Sequence, residues 1–255
     1  MEPVLKAKKI RKVYGSKGNI FPALGSISME VYPGEFVGVM GPSGAGKSTL
    51  LNVLSSIDKP TSGEIEIGGR LLSKMTEKEV ALFRRNMLGF IFQDYNLLDM
   101  MTLKDNIVLP LVLNKVPVEE INQKFMTLAK QFGLYDLRNK YPTELSGGQR
   151  QRTAVCRSLI TEPELIFADE PTGALDSKAA TNLLDSLTAA KEERNATILM
   201  VTHDTFAASY CERILFIKDG EIFTEIYRGK MNRKQFFNKI LEVLVMLGGD
   251  LDDPL

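Results

Sequence analysis

The sequence predicts an α/β fold: a parallel sheet core, an antiparallel β region ahead of it, and a helical lobe inserted into it. Short apolar runs of buried-strand type recur at Phe36–Met40, Leu88–Phe92, Leu165–Ala168, Ala196–Val201 and Ile214–Ile217, separated by segments with helical spacing. The first run leads through a glycine-rich loop, Gly41-Pro42-Ser43-Gly44-Ala45-Gly46-Lys47-Ser48-Thr49, into the apolar helix Leu50–Leu54. From Asp94 to about Ile160 strand-like runs are scarce, and breaks at Pro110, Pro117, Gly133 and Pro142 divide helical segments.

At 255 residues the chain suits one large domain carrying an inserted lobe, expected over 1–227, with a helix and tail over 228–255. Lys+Arg and Asp+Glu each number 32, so there is no broad basic field and nucleic acid is not an expected partner. Cys156 and Cys211 are far apart and lack metal-ligand spacing, which fits a reducing compartment. The N-terminus lacks a signal-peptide layout, and no apolar run approaches the ~20 residues of a membrane span, so the chain is not expected to cross a membrane alone.

Taken in order, Ile27–Val31 alternates as a half-buried strand and Pro33-Gly34 turns the chain into the buried run that follows. Upstream, Tyr14 is an aromatic that can either pack locally or stack on an adenine ring. The loop from Gly41 to Thr49 fits G-x-x-x-x-G-K-[ST] between a strand and a helix, which makes the core a P-loop NTPase (RecA-like) fold. Its glycines let successive N–H groups converge, and the helix adds its positive end, so the concavity suits a polyphosphate. Lys47 reaches the β- and γ-phosphates there, and the Ser48 hydroxyl completes a Mg²⁺ shell.

Beyond a turn at Asp58–Gly63, Glu64–Ile67 alternates as a strand, and Leu71 to Arg85 has helical character. Gln93 ends the next strand, where it can face a γ-phosphate, Mg²⁺ or an attacking water. Inside the lobe, Ser146-Gly147-Gly148-Gln149 opens a helix bearing Val155 and Leu159, a second anion-attracting helix start. One nucleotide does not need two such loops from one subunit, so the second is expected to serve a nucleotide held by another copy. Asp169 and Glu170 end an apolar strand at the carboxyl edge of the sheet; Asp169 holds Mg²⁺ through water, and Glu170 takes a proton from the attacking water. Asp176 or Ser177 caps a helix with Leu183, Leu184, Leu187 and Ala190 on one face. His203, the only histidine, follows another strand and is expected to sense the γ-phosphate. Phe236, Phe237, Ile240, Leu241 and Leu244 share a helical face in the tail, which can fold back on its own domain, pair with a second copy, or meet a membrane surface or partner. Residues after Gly248 read as frayed and acidic.

This order of motifs over about residues 1 to 225 resembles the ATP-binding-cassette ATPases. The resemblance implies that Tyr14 stacks adenine, that Gly41 to Ser48 is the Walker A loop and that Gln93 is the Q-loop glutamine. It makes Leu145 to Gln149 the signature, Leu165 to Asp169 the Walker B strand, Glu170 the catalytic glutamate, Asp176 the D-loop aspartate and His203 the switch histidine. The intact set implies a homodimer in which Ser146 and Gly148 of one subunit close over the γ-phosphate held by Lys47 of the other.

Pro171-Thr172-Gly173-Ala174-Leu175-Asp176 is similar to the macrolide-exporter and lipoprotein-release branch. Leu54–Asp58, Phe92–Asp99 and Ala208–Cys211 resemble the ATPase subunits of bacitracin-type antimicrobial-peptide resistance transporters. The resemblance implies ATP and Mg²⁺ as cofactors and a permease with a large extracellular domain as partner, contacted near Asp94 to Met101. A sensor histidine kinase is a further implied partner, and the site of action is the cytoplasmic face of the membrane. Rival readings are an ATPase that drives lipoprotein release or regulates cell-wall enzymes through a membrane partner, and a soluble assembly scaffold.

Overall fold

The computed structural model describes residues 2–15 and 20–248. The frayed acidic segment expected after Gly248 lies outside the described residues. In chain order the elements are β1 (Leu5–Tyr14), β2 (Phe21–Val31), β3 (Phe36–Met40), α1 (Lys47–Leu54), β4 (Ser62–Ile67), β5 (Arg70–Leu71), α2 (Glu77–Met87) and β6 (Leu88–Phe92). They continue with α3 (Leu103–Leu113), α4 (Val118–Gln131), α5 (Gly147–Leu159), β7 (Leu165–Asp169), α6 (Ser177–Arg194), β8 (Ile198–Val201), α7 (Thr205–Ala208), β9 (Arg213–Lys218), β10 (Glu221–Tyr227) and α8 (Arg233–Met246). Two compact units result: Met1–Thr76 with Thr197–Leu255, and Glu77–Ala196.

The first unit holds an antiparallel sheet of order β2-β1-β4-β5 and the strand run β10-β9-β3-β8. Every residue of β3 is buried, which is why its sequence is continuously apolar and not alternating. It pairs in parallel with β8, Phe36 opposite Ile198 to Val39 opposite Val201, and with β9 on its other side. β2 alternates as its sequence predicts, with Ile27, Met29 and Val31 inward. Asp219 and Gly220, both at positive φ, make the tight turn of the β9–β10 hairpin.

α8 packs within this unit, on α7. Its inward stripe is Phe236, Ile240, Val243 and Leu247, while Leu241 is 41% exposed. This corrects the expected face. Residues separated by four, three and four lie along one side of a helix, and Leu241 is turned about 100° from Ile240. The Arg233 guanidinium lies 4.2 Å from the centre of the Tyr210 ring at the start of this helix.

The second unit pairs β6 and β7 in parallel and packs α5 on β6 and α3 on α5. Pro110 does not break a helix, as the sequence suggested; it lies inside α3. Proline removes one intrahelical bond, but Leu103, Ile107, Val108 and Leu111 are all buried, and that apolar burial holds the turn in place. Pro117 and Pro142 behave as expected, the first as the N-cap of α4 and the second opening a 3-10 turn. The stretch Leu71 to Arg85 is not one helix: β5 and a 3-10 turn at Leu72–Lys74 precede α2. No described helix is long and apolar enough to cross a membrane.

Both cysteines are free and fully buried, and burial pushes both thiols well above their ordinary pKa. The folded chain keeps these protons at pH values where the unfolded chain loses them. Stability therefore falls as pH rises past the ordinary thiol value of about 8.5. The native protein is expected to resist a thiol reagent at pH 8 and to react on unfolding; stoichiometric labelling of native protein would contradict this burial.

Candidate nucleotide site

In the first unit the glycine-rich loop leaves the end of β3, and Thr202-His203 leaves the end of the adjacent parallel strand β8. The Thr202 N–H donates to the Val39 carbonyl at 3.1 Å, which brings His203 to the same sheet edge as the loop. His203 is exposed there. Gly46, at φ +98°, is the N-cap of α1, and a Cβ on it would stand 2.5 Å from the Ala23 carbonyl oxygen. Gly41 is equally constrained, since a Cβ there would strike the backbone of Ile217. Ala45 is buried, while Pro42, Ser43, Gly44 and Ser48 are exposed and Thr49 is half-buried.

The Lys47 ammonium donates to the Gly41 carbonyl at 2.8 Å and the Pro42 carbonyl at 2.9 Å, so the lysine folds back across the loop. α1 has no side-chain cap and no acidic residue in its first turn. By contrast α3, α5, α6 and α8 are capped by Thr102, Ser146, Asp176 and Asn232. A helix start with no acidic residue in its first turn and a lysine folded across it fits a polyphosphate. Tyr14, 39% exposed, ends β1 with its hydroxyl donating to Asp58.

In the second unit, Phe92 pairs with Asp169 in the β6–β7 register, so Gln93 and Glu170 leave adjacent strand ends side by side. Glu170 has φ +44°, and the Gly173 N–H donates to its carbonyl in the turn that follows. A non-glycine residue held in this region is an uncommon and costly conformation that tends to mark functional sites. Gly173 lies against Gln93: a Cβ on it would be 3.0 Å from the glutamine Cδ. Within this unit Gln93 and Asp169 offer amide and carboxylate oxygens, and Ser48 in the first unit offers a hydroxyl; oxygen donors are the kind Mg²⁺ takes. Among the described residues no group of three His, Cys, Asp or Glu could hold a metal; an Mg²⁺ that takes phosphate oxygens as ligands does not require one.

The stretch from Ser146 to Gln149 forms a capping box. The Gln149 N–H donates to Ser146 Oγ at 3.3 Å, and the Ser146 N–H donates to Gln149 Oε1 at 2.9 Å. The Gln149 side chain is thus engaged in the cap. Asp176 caps α6 by accepting from the Ala179 N–H at 2.8 Å. Ser146, Gly147, Gly148 and Asp176, with Arg152 and Lys178, line one open concavity of about 390 Å³ on this unit.

Two positioning side chains in this unit were missed in the sequence. The buried Gln151 donates to the Pro171 carbonyl at 2.7 Å, tying α5 to the chain just past Glu170. Arg157 donates to the carbonyls of Asn96 (2.5 Å) and Tyr95 (2.8 Å), both at positive φ, and so fixes the loop after Gln93. In sequence nothing marks them out, because α5 also carries Gln149, Arg150, Arg152, Thr153 and Ser158.

Residues 24–173 match the ABC transporter family. The chain is 52% identical to the bacitracin export ATP-binding protein BceA of Halalkalibacterium halodurans, over 98% of this chain and 99% of that protein. It is 50% identical to the ABC transporter ATP-binding protein YxdL of Bacillus subtilis, over 99% and 98% of the two chains. Among solved structures, the dimeric, post-hydrolysis cassette MJ0796 bound to ADP and Pi is similar at a TM-score of 0.80, with 38% identity over 88% of this chain and 98% of that one. The chain belongs to the ABC transporter family and is an ATP-binding, ATP-hydrolysing transporter subunit.

Proposed function

We propose that this chain, as a homodimer on the cytoplasmic face of the membrane, powers a permease that protects against bacitracin-like antimicrobial peptides. The observation that carries the reading is the pair of phosphate-directed helix starts in one chain. One is uncapped behind Lys47. The other is capped by Ser146 and opens onto a polar concavity. The peptide class follows from the full-length similarity to BceA. A dimer is supported by the dimeric relative MJ0796.

In this reading the backbone N–H groups from Gly41 to Thr49 and the Lys47 ammonium bind the triphosphate, and Tyr14 stacks the base. Ser48, Gln93 and Asp169 hold Mg²⁺, which when bound neutralises charge on the phosphate oxygens. Glu170 accepts a proton from the attacking water, and His203 contacts the γ-phosphate oxygens. Ser146, Gly147 and Gly148 of the second copy close over the same phosphate, with Gln149 and Asp176 holding their helix starts in shape. Closure removes water and puts the α5 dipole on the charge that develops. The loop after Gln93, pinned by Arg157 and by Asn106, whose amide donates to the Leu98 carbonyl, carries the permease contact, with a sensor histidine kinase as a further partner of that permease.

Coexpression with a candidate permease from the same genome tests this reading. The two are expected to copurify, and the ATPase rate in proteoliposomes is expected to respond to bacitracin. An ATPase that copurifies with no membrane protein would support the soluble scaffold reading instead.

A further inference from the structure

Tyr14 is held by its surroundings on more than one side. Its hydroxyl donates to Asp58 Oδ2 at 2.8 Å. The other carboxylate oxygen accepts from Lys12 Nζ at 2.6 Å and from the Lys59 N–H at 2.7 Å. Lys12 also donates to the Lys59 carbonyl at 2.8 Å, and its ammonium lies over the Tyr14 ring, 4.7 Å from the centroid. Nearby, the Val13 N–H donates to Thr61 Oγ1 at 3.0 Å and the Thr61 N–H to the Arg11 carbonyl at 2.8 Å. The end of β1 is therefore tied to the segment that follows α1, and α1 itself begins in the phosphate loop.

We infer that Asp58 and Lys12 are positioning residues that set the Tyr14 ring as a one-faced platform for the nucleobase. The inference rests on the reading of Tyr14 as the stacking aromatic. With its hydroxyl anchored to Asp58, the ring cannot turn freely about its side-chain bonds. With a cation over one face, only the other face is open to a base. A free exposed tyrosine would lose rotamer freedom each time a nucleotide bound. A ring fixed beforehand loses less, so preorganisation appears as tighter binding of the base.

The phosphate end and the base end of the nucleotide are then referred to the two ends of one short helix. Burial pushes the Asp58 carboxyl upward, but hydrogen bonds from Lys12, Tyr14 and the Lys59 amide hold it below the usual carboxylate range. The anchor stays ionised at neutral pH.

The test compares ATP with inorganic tripolyphosphate, which has phosphates and no base, as ligands of the full chain. Asp58→Asn and Tyr14→Phe are each expected to weaken ATP binding about threefold to fivefold, the scale of one net hydrogen bond. Lys12→Met is expected to weaken it about twofold to fivefold. Because Asp58 and Tyr14 act through one bond, the double variant should be no weaker than the worse single variant. Tripolyphosphate affinity should not move in any of them, and in turnover the loss should fall on KM. Multiplicative effects in the double variant, wild-type ATP affinity in Asp58→Asn, or an equal loss of tripolyphosphate binding would overturn the inference. Tyr14→Ala separates it from the reading beneath: about a tenfold or greater loss of ATP affinity is expected. If Tyr14→Ala binds ATP normally, the stacking role itself fails; if only the Asp58 and Lys12 variants bind normally, the platform alone fails.

Discussion

Glu170→Gln is expected to lower steady-state ATP hydrolysis by about 10²- to 10⁴-fold, the usual contribution of a positioned general base. Nucleotide binding should survive. Glutamine keeps the size of the side chain and its ability to orient water, and loses only the capacity to take a proton. The substitution should also leave the fold intact: Glu170 is half-buried at a strand end, and its left-handed backbone is held by the Gly173 N–H bond to its carbonyl and by the tie from Gln151 to Pro171, both made to backbone atoms. An enzyme that binds ATP and cannot turn it over should accumulate in the closed state, since closure precedes hydrolysis. Light scattering with ATP should therefore show a stable dimer for the variant and a transient one for the wild type. Unchanged turnover would remove Glu170 from the role of base, and Asp169 and His203 would be tested next.

The elements that form the candidate site were legible because each is local in sequence. A buried strand, a loop that only glycines can form at Gly41 and Gly46, and an apolar helix follow one another within residues 36–54, so no distant contact is needed to recognise them. Strand ends are equally readable: the runs before Gln93 and Asp169 are apolar because they are buried, and a polar residue marks where burial stops. Contacts between distant residues were not legible. Gln151 meets Pro171, Arg157 meets Tyr95 and Asn96, and Asp58 meets Lys12 and Tyr14. In sequence each of these is an ordinary polar residue, and only the fold gives it a partner. Pro110 shows tertiary burial overriding a local preference. In α8 the apolar residues outnumber those one face can hold, so the choice between Leu241 and Val243 was made by packing.

Mixing two inactive variants tests the second large expectation, that each hydrolytic site is shared between copies. Lys47→Ala removes the cation that bridges the Gly41 and Pro42 carbonyls and, in the proposed site, binds the phosphates. Ser146→Arg removes the cap on α5 and fills the concavity beside Gly148 with a bulky side chain. Losing such a cap costs about 0.5–2 kcal/mol, so this variant should remain folded and, with its own loop intact, still bind ATP. Alone, each variant has no complete site in a head-to-tail dimer. Mixed, half of the dimers pair one of each kind, and in those the loop of the Ser146→Arg subunit faces the intact signature of the Lys47→Ala subunit. The opposite site in the same dimer carries both defects. Activity should therefore return to at most about a quarter of the wild-type rate if the two sites of a dimer are independent, and to less if they hydrolyse only together. Normal hydrolysis by either variant alone would mean that one chain completes its own site, and the coupling of hydrolysis to movement between copies would have to be abandoned.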